Sequence, residues 1–200
     1  MGGRSGPAGQ IINILASAIA MKNDGASKTG RRMATDKRKR ADHPIDWPAL
    51  VIAIIVCEMA GVIGSIFTIA AIGGWYAGLQ KPFFTPPAWI FGPVWIALYA
   101  IMGIAAYLIW RQGIHKPSVQ HALIFFALQL IVNVKWSILF FGFHSPFLAF
   151  IAIVALLALI CVTAFKFYHI DARAGYLLIP YIAWVVFAML LNASIWLLNA

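Results

Sequence analysis

From Pro48 onward the chain is a series of long apolar runs broken by short polar or proline-rich pieces. Five of these runs, 48–72, 87–110, 119–141, 146–167 and 174–198, hold 22 to 25 residues each. A helix crossing a bilayer needs about 20 apolar residues, so each run predicts a tilted spanning helix. The fold class expected is an all-α membrane protein, a five-helix bundle over residues 47–200. Pro86 and Pro87 are suited to the first turn of the second span, where a missing N–H costs nothing. The connections at 111–118, 142–145 and 168–173 are short, which predicts antiparallel neighbours for the spans they join. The link between the first two spans is different. Residues 73–95 hold four of the ten prolines and three of the eight tryptophans. That stretch is too broken for a helix interior and too apolar for a solvated linker, so it predicts a structured cap over one end of the bundle.

Within the runs, polar and aromatic residues fall at helical spacing. Gln129, Asn133, Trp136 and Phe140 form one stripe on the third span. Tyr181, Trp184, Ala188, Asn192, Ile195 and Asn199 form one on the fifth. Trp95, Tyr99, Met102 and Ala106 form one on the second. Polar groups inside spanning helices face protein or a cavity, so these stripes are expected to converge. At 1.5 Å per residue, Trp95, Asn133, Trp136 and Trp184 lie roughly 7 to 20 Å below the cap end of their spans. This is too deep for the interfacial belt that accounts for Trp47, Trp89 and Trp110. A cavity beneath the cap and plain packing between helices both fit this spacing.

Composition then fixes the class. The chain is 62% hydrophobic and 10% charged, against about 25% charged in soluble domains. Nine of its fifteen Lys and Arg lie in the first 40 residues. The net charge of +9 is therefore mainly a property of residues 1–46, read as a basic, disordered tail. Its apolar piece from Ile11 to Met21 is too short to span, and a start at Met33 would leave a compact tail. The run from Arg31 to Arg40 reads first as a topology anchor, ahead of binding to acidic lipid; no nucleic-acid partner is expected. Thirteen Lys/Arg share the side of the N-terminus. The positive-inside rule then places that side in the cytoplasm, with the cap and C-terminus outside. A bacterial cytoplasmic membrane fits most simply; an organelle membrane is the alternative.

Two charges fall inside spans. Lys135 lies about 9 Å from the end of its span and can snorkel. Glu58 lies about 15 Å deep; protonation, pairing with Lys135 and binding of a ligand cation are its three readings, the pairing strained by a difference in depth. Cys57 and Cys161 read as small core residues. No metal cluster, phosphate loop, carboxylate pair or Ser-His-Asp set is present in the sequence. The histidines sit near span ends, which argues against axial haem ligation. The scarcity of pore-lining charge and the lack of an inverted repeat argue against a channel or a two-fold transporter. An apolar aromatic cavity suits a flat apolar ligand with a few polar edges.

Three motifs carry a resemblance. WYAGLQKPFFTPPAWIFGPVWIALYAIMGIA, NVKWSILFF and PYIAWVVFAMLLN together resemble the TspO/MBR family, the tryptophan-rich sensory and translocator proteins or peripheral-type benzodiazepine receptors. The resemblance covers about residues 48–199. It implies a five-helix bundle, usually a homodimer, that binds protoporphyrin IX and haem-related tetrapyrroles as ligands rather than cofactors, and in some members sterols. By position, Trp95 and Trp184 match the pair set against the porphyrin, and Asn133 and Trp136 match helix-three pocket positions. Trp75, Tyr76 and Pro86 fall in the family's lid, which Pro87 and Trp89 continue. Tyr99, Tyr181 and Ala188 complete the ligand-binding set through their stripes. Ala193, Ser194 and Leu197 replace the tyrosine and arginine of sterol-responsive members, which weakens the case for a sterol. The implied function is a porphyrin sensor or translocator in tetrapyrrole metabolism or stress response. The alternatives are an enzyme degrading porphyrin with light and oxygen, with Trp95 and Trp184 as its working residues, and a ligand-independent interaction protein whose small residues Ala97, Gly103 and Ala106 allow close helix contact.

Overall fold

In the computed structural model, residues 44–200 are described. The expectations placed on residues 1–43, a disordered tail and a start at Met33, lie outside them. Among the described residues 83% are helical and none is in a strand. Five segments are long and apolar enough to cross a membrane.

Helix α1 runs Trp47–Ile72. Asp46 caps it by accepting the Ala49 N–H at 3.1 Å, and Pro48 occupies its first turn. One helical turn, α2 (Trp75–Gly78), opens the cap. Helix α3 is Ala88–Trp110. Pro87 is its N-cap rather than part of its first turn, and Pro86 precedes it, because the extended backbone of Pro87 (ψ 139°) turns the chain into the helix. The third span is α4, Pro117–Ser137, continued by a π-helical turn over Ile138–Gly142. The fourth is α5, Pro146–Ile170, capped by Ser145. The fifth is divided into α6 (Ala172–Leu177) and α7 (Ile179–Leu198). Pro180 explains the break, since it has no N–H for the carbonyl four residues back and its ring crowds that turn.

Packing runs α1 to α3, α3 to α6, α5 to both α6 and α7, α5 to α4, and α4 back to α1. Consecutive spans are therefore neighbours, the second and third the least extensively. The second and third spans, α3 and α4, meet mainly through side chains in the interior, such as Gln129 against Met102. A short loop does not force its two helices into full contact when other helices cover both flanks. Where α3 lies against α1 at Gly103, an added Cβ would sit 2.6 Å from the Ile54 Cα. Only glycine permits that approach.

Cys57 is buried as expected; Cys161 instead lies on the exposed outer face. Lys135 is exposed on the outside of α4, and no ion pair joins it to Glu58 among the described residues. At the end away from the cap, Asp171 accepts the Arg173 N–H and two guanidinium bonds at 2.9–3.1 Å, and also the Gln112 amide at 3.2 Å. The hydrogen-bonded Arg173 side chain holds the Asp171 carboxyl below its usual range. A depressed carboxyl contributes stability above its unfolded value of about 3.9 and loses it as pH falls through the folded value. Asp171→Ala removes a helix cap, a loss of about 1 kcal/mol. The melting temperature is expected to fall by about 2–4 °C at pH 7. The gap to wild type narrows as pH falls below about 3.9 and closes once the depressed folded-state carboxyl is itself protonated. A gap independent of pH contradicts this.

A candidate ligand-binding cavity beneath the cap

Between α1, α3, α4 and α7 lies a cavity of about 460 Å³. Its α1 wall is a stripe at 3.6-residue spacing: Glu58, Gly61, Ser65, Thr68 and Ile72. Small residues there leave the space. A Cβ on Gly61 would lie 2.5 Å from the Tyr99 ring, so Gly61 lets that ring lie against α1. The α3 wall is Ala88, Phe91, Gly92, Trp95 and Tyr99; α4 and its π turn give Asn133, Trp136, Ser137, Phe140 and Phe141; α7 gives Ala188, Leu191, Asn192 and Ile195. Tyr76 closes the cap end. The side between α1 and α3 is open. There Val62, Ile69, Trp89 and Ile96 line the space, yet each is more than half exposed.

The aromatic walls are mutually fixed. Trp95 stacks on Tyr99 with centroids 5.5 Å apart, and Trp136 stacks on Phe140 at 5.6 Å. Two polar networks hold the floor and one side. The Tyr99 hydroxyl donates to Asn133 Oδ1 at 2.8 Å. Asn133 Nδ2 donates to the Tyr181 hydroxyl at 2.7 Å, which donates to Gln129 Oε1 at 2.9 Å. The Trp136 indole donates to Asn192 Oδ1 at 3.0 Å, and Asn192 Nδ2 donates to the Pro146 carbonyl at 2.8 Å. The amides on the stripes thus serve the protein itself. Among the lining residues, the Glu58 carboxyl, the Tyr76 and Ser137 hydroxyls and the Trp89 and Trp95 indoles make no hydrogen bond with a described residue.

Of the ligand-binding positions expected from sequence, the structure gathers Trp95, Tyr99, Asn133, Trp136 and Ala188 on the wall. Tyr181 lies behind the floor, fully buried, with its ring edge-on to Trp95. Trp184 is not on the wall: it packs edge-on to Phe91 at 5.9 Å and against Phe187 at 5.4 Å. Its indole N–H is buried without a partner among the described residues. Of the lid positions, Tyr76 and Trp89 line the space; Trp75, Pro86 and Pro87 do not. Trp75 instead anchors the cap, stacked on His144 at 4.5 Å. The α1 stripe went unread in the sequence, although Glu58 with small residues at 3,4,3 spacing signalled it. Phe91, Phe140, Phe141 and Asn192 also join the wall.

The cap has a latch. Asn199, past the end of α7, accepts the Gln80 N–H at 3.0 Å and donates to the Gln80 carbonyl at 2.9 Å. Asn199→Ala removes both bonds, a loss of about 1 kcal/mol given their exposure. Roughly fivefold faster hydrogen exchange at the Gln80 amide is expected. Unchanged protection there means the latch does not hold the cap.

Residues 53–197 match the family profile described as the TspO/MBR family. The chain is 44% identical over 151 residues to the tryptophan-rich protein TspO of Archaeoglobus fulgidus, covering 76% of this chain and 97% of that protein. It is 35% identical to the translocator protein of Bos taurus (75% and 89% covered) and 31% identical to the tryptophan-rich sensory protein of Cereibacter sphaeroides (78% and 94% covered). With five membrane-spanning helices around an aromatic cavity and this degree of identity along nearly the whole of these relatives, the chain belongs to the TspO/MBR family.

Proposed function

We propose that this integral membrane protein binds a porphyrin or a related tetrapyrrole in the cavity beneath the cap, as a sensor or translocator. One observation carries the reading: an apolar space of about 460 Å³, open on one side and walled by Trp95 on Tyr99 and by Trp136 on Phe140. A flat macrocycle fits between such walls because offset stacking rewards large rings held in fixed planes. Lys81 supports it further. Its ammonium is held by the Ala77 and Leu79 carbonyls, 4.7 Å above the Tyr76 ring that closes the cavity. That puts a cation at the cap end, where acidic side groups of a porphyrin would project. In this reading the N-terminus is cytoplasmic and the cap faces outward.

Titration with protoporphyrin IX, read by tryptophan fluorescence in detergent, tests it. Saturable quenching is expected. Trp95→Phe should weaken binding about fivefold, the value of one aromatic stack. Trp184→Phe should change it far less, since Phe91 takes the wall position. Absence of saturation sinks the proposal.

A second reading, degradation of the bound porphyrin that depends on light and on oxygen as the oxidant, draws on the contact of Trp95 with both Tyr99 and Tyr181. Those rings offer an oxidised Trp95 two neighbouring phenols. Illumination of the bound complex must then yield a product that Trp95→Phe abolishes.

A further inference from the structure

Glu58 is the one carboxyl on the cavity wall, and the lining contains no Lys, Arg or His. It makes no hydrogen bond or ion pair with a described residue. Its neighbours Val56 and Met59 are exposed on the outside of the bundle, whereas Glu58 shares the cavity stripe with Gly61 and Ser65. A carboxyl within a spanning helix is normally held by a partner, because hydrocarbon offers it none. The amides that would serve, Asn133 and Asn192, are taken by Tyr99, Tyr181, Trp136 and the Pro146 carbonyl. Glu58 lies about 5 Å along the α1 axis from Gly61, which abuts the Tyr99 ring. A flat body stacked on Trp95 shares its space with this carboxyl, one turn of α1 from the Tyr99 ring.

We propose that Glu58 is a specificity-determining residue of the cavity, receiving an N–H or ammonium group from the inward end of a flat aromatic ligand. This rests on the cavity being a ligand site and goes beyond the porphyrin reading. The N–H groups of a closed porphyrin point at one another inside the ring, so they give Glu58 nothing to accept. The class selected by Glu58 is aromatic molecules with an outward-pointing nitrogen donor. Its carboxylate supplies the charge-assisted bond, and the surrounding apolar wall strengthens it by excluding water.

The test uses the full chain in nanodiscs of neutral phosphatidylcholine, with energy transfer from tryptophan to pyrene as the readout. The probes are 1-pyrenemethylamine and 1-methylpyrene, alike in shape and differing in the donor. Wild type should bind the amine about tenfold more tightly, the value of one hydrogen bond to a charged group. Glu58→Gln, which keeps the shape, should lose most of that preference and keep its affinity for 1-methylpyrene. No preference in wild type overturns the proposal. So does a preference retained in Glu58→Gln, since the amine would then be reading something other than this carboxyl. Protoporphyrin IX, run on both proteins, separates the two ideas. Equal saturable binding to both leaves the porphyrin reading standing whatever the pyrene pair shows. No porphyrin binding alongside a Glu58-dependent amine preference removes that reading and keeps this one.

Discussion

Gly103→Ala is expected to lower the melting temperature by roughly 2–12 °C. The added methyl would lie 2.6 Å from the Ile54 Cα, 2.9 Å from its nitrogen and 3.0 Å from the Ala53 carbonyl oxygen. All three are backbone atoms, so no rotamer change relieves the clash. Helices α1 and α3 must part by about 1 Å to restore ordinary contact. Overpacking of this kind costs about 1–3 kcal/mol. A second consequence follows from where the contact sits. The two helices touch at Gly103 and leave the open side of the cavity further toward the cap, so parting them there widens that opening. Faster ligand release is expected along with the lower melting point. Gly92→Ala is the control. It lies on the same helix and lines the cavity, but nothing stands within 4 Å of an added Cβ. Thermal melts in detergent decide the matter: equal melting points for the two variants would show that the α1–α3 contact is not tight in the working protein.

Much of the bundle was legible because the bilayer imposes its own length on each element. All five spans appear in the structure within a few residues of their expected limits, and the proline-rich stretch forms the cap. What sequence could not supply was the level of the cavity along each helix. Helical periodicity gives the angle of a side chain around its axis but not its position relative to the other helices. Trp184 shows the consequence. It shares its stripe with Ala188 and Asn192, which line the cavity, yet the ring of Phe91 from α3 takes the wall position against which Trp184 packs. Tyr181 lies further still from the cap and joins the floor network instead. The division of the fifth span was readable in principle from Pro180. The π turn at Ile138–Gly142 was not, since no proline or glycine pair marks its start. The α1 wall was hidden for a different reason. Glycine, serine and threonine shape a cavity by what they leave out, and a search for polar and aromatic stripes passes over them.

Asn133→Leu is expected to disturb both stability and binding, because one side chain joins both sides of the floor. Leucine keeps the branching and heavy-atom count of asparagine but neither accepts from Tyr99 nor donates to Tyr181. The Tyr99 hydroxyl is left as a buried donor without an acceptor, and the Tyr181 hydroxyl loses the amide that fixed it. In soluble proteins each orphaned group costs about 1–3 kcal/mol. Hydrogen bonds between membrane helices measure lower, about 0.6–1.7 kcal/mol. The membrane values apply in this core, so the two bonds together are worth about 1–3 kcal/mol, or a fall of roughly 2–12 °C in melting temperature. Binding should weaken by a separate route. Tyr99 carries the Trp95 ring at 5.5 Å; once its hydroxyl is untethered, that stack loses its fixed plane. Tyr181→Phe separates a network from independent contacts. It removes the Asn133 to Tyr181 bond and the Tyr181 to Gln129 bond but leaves Tyr99 on Asn133. The two substitutions delete one bond in common, so the double variant should be less destabilised than the sum of the singles. Full additivity would mean that the four side chains act separately, and the floor would then be a set of local contacts rather than one rigid unit beneath the ligand.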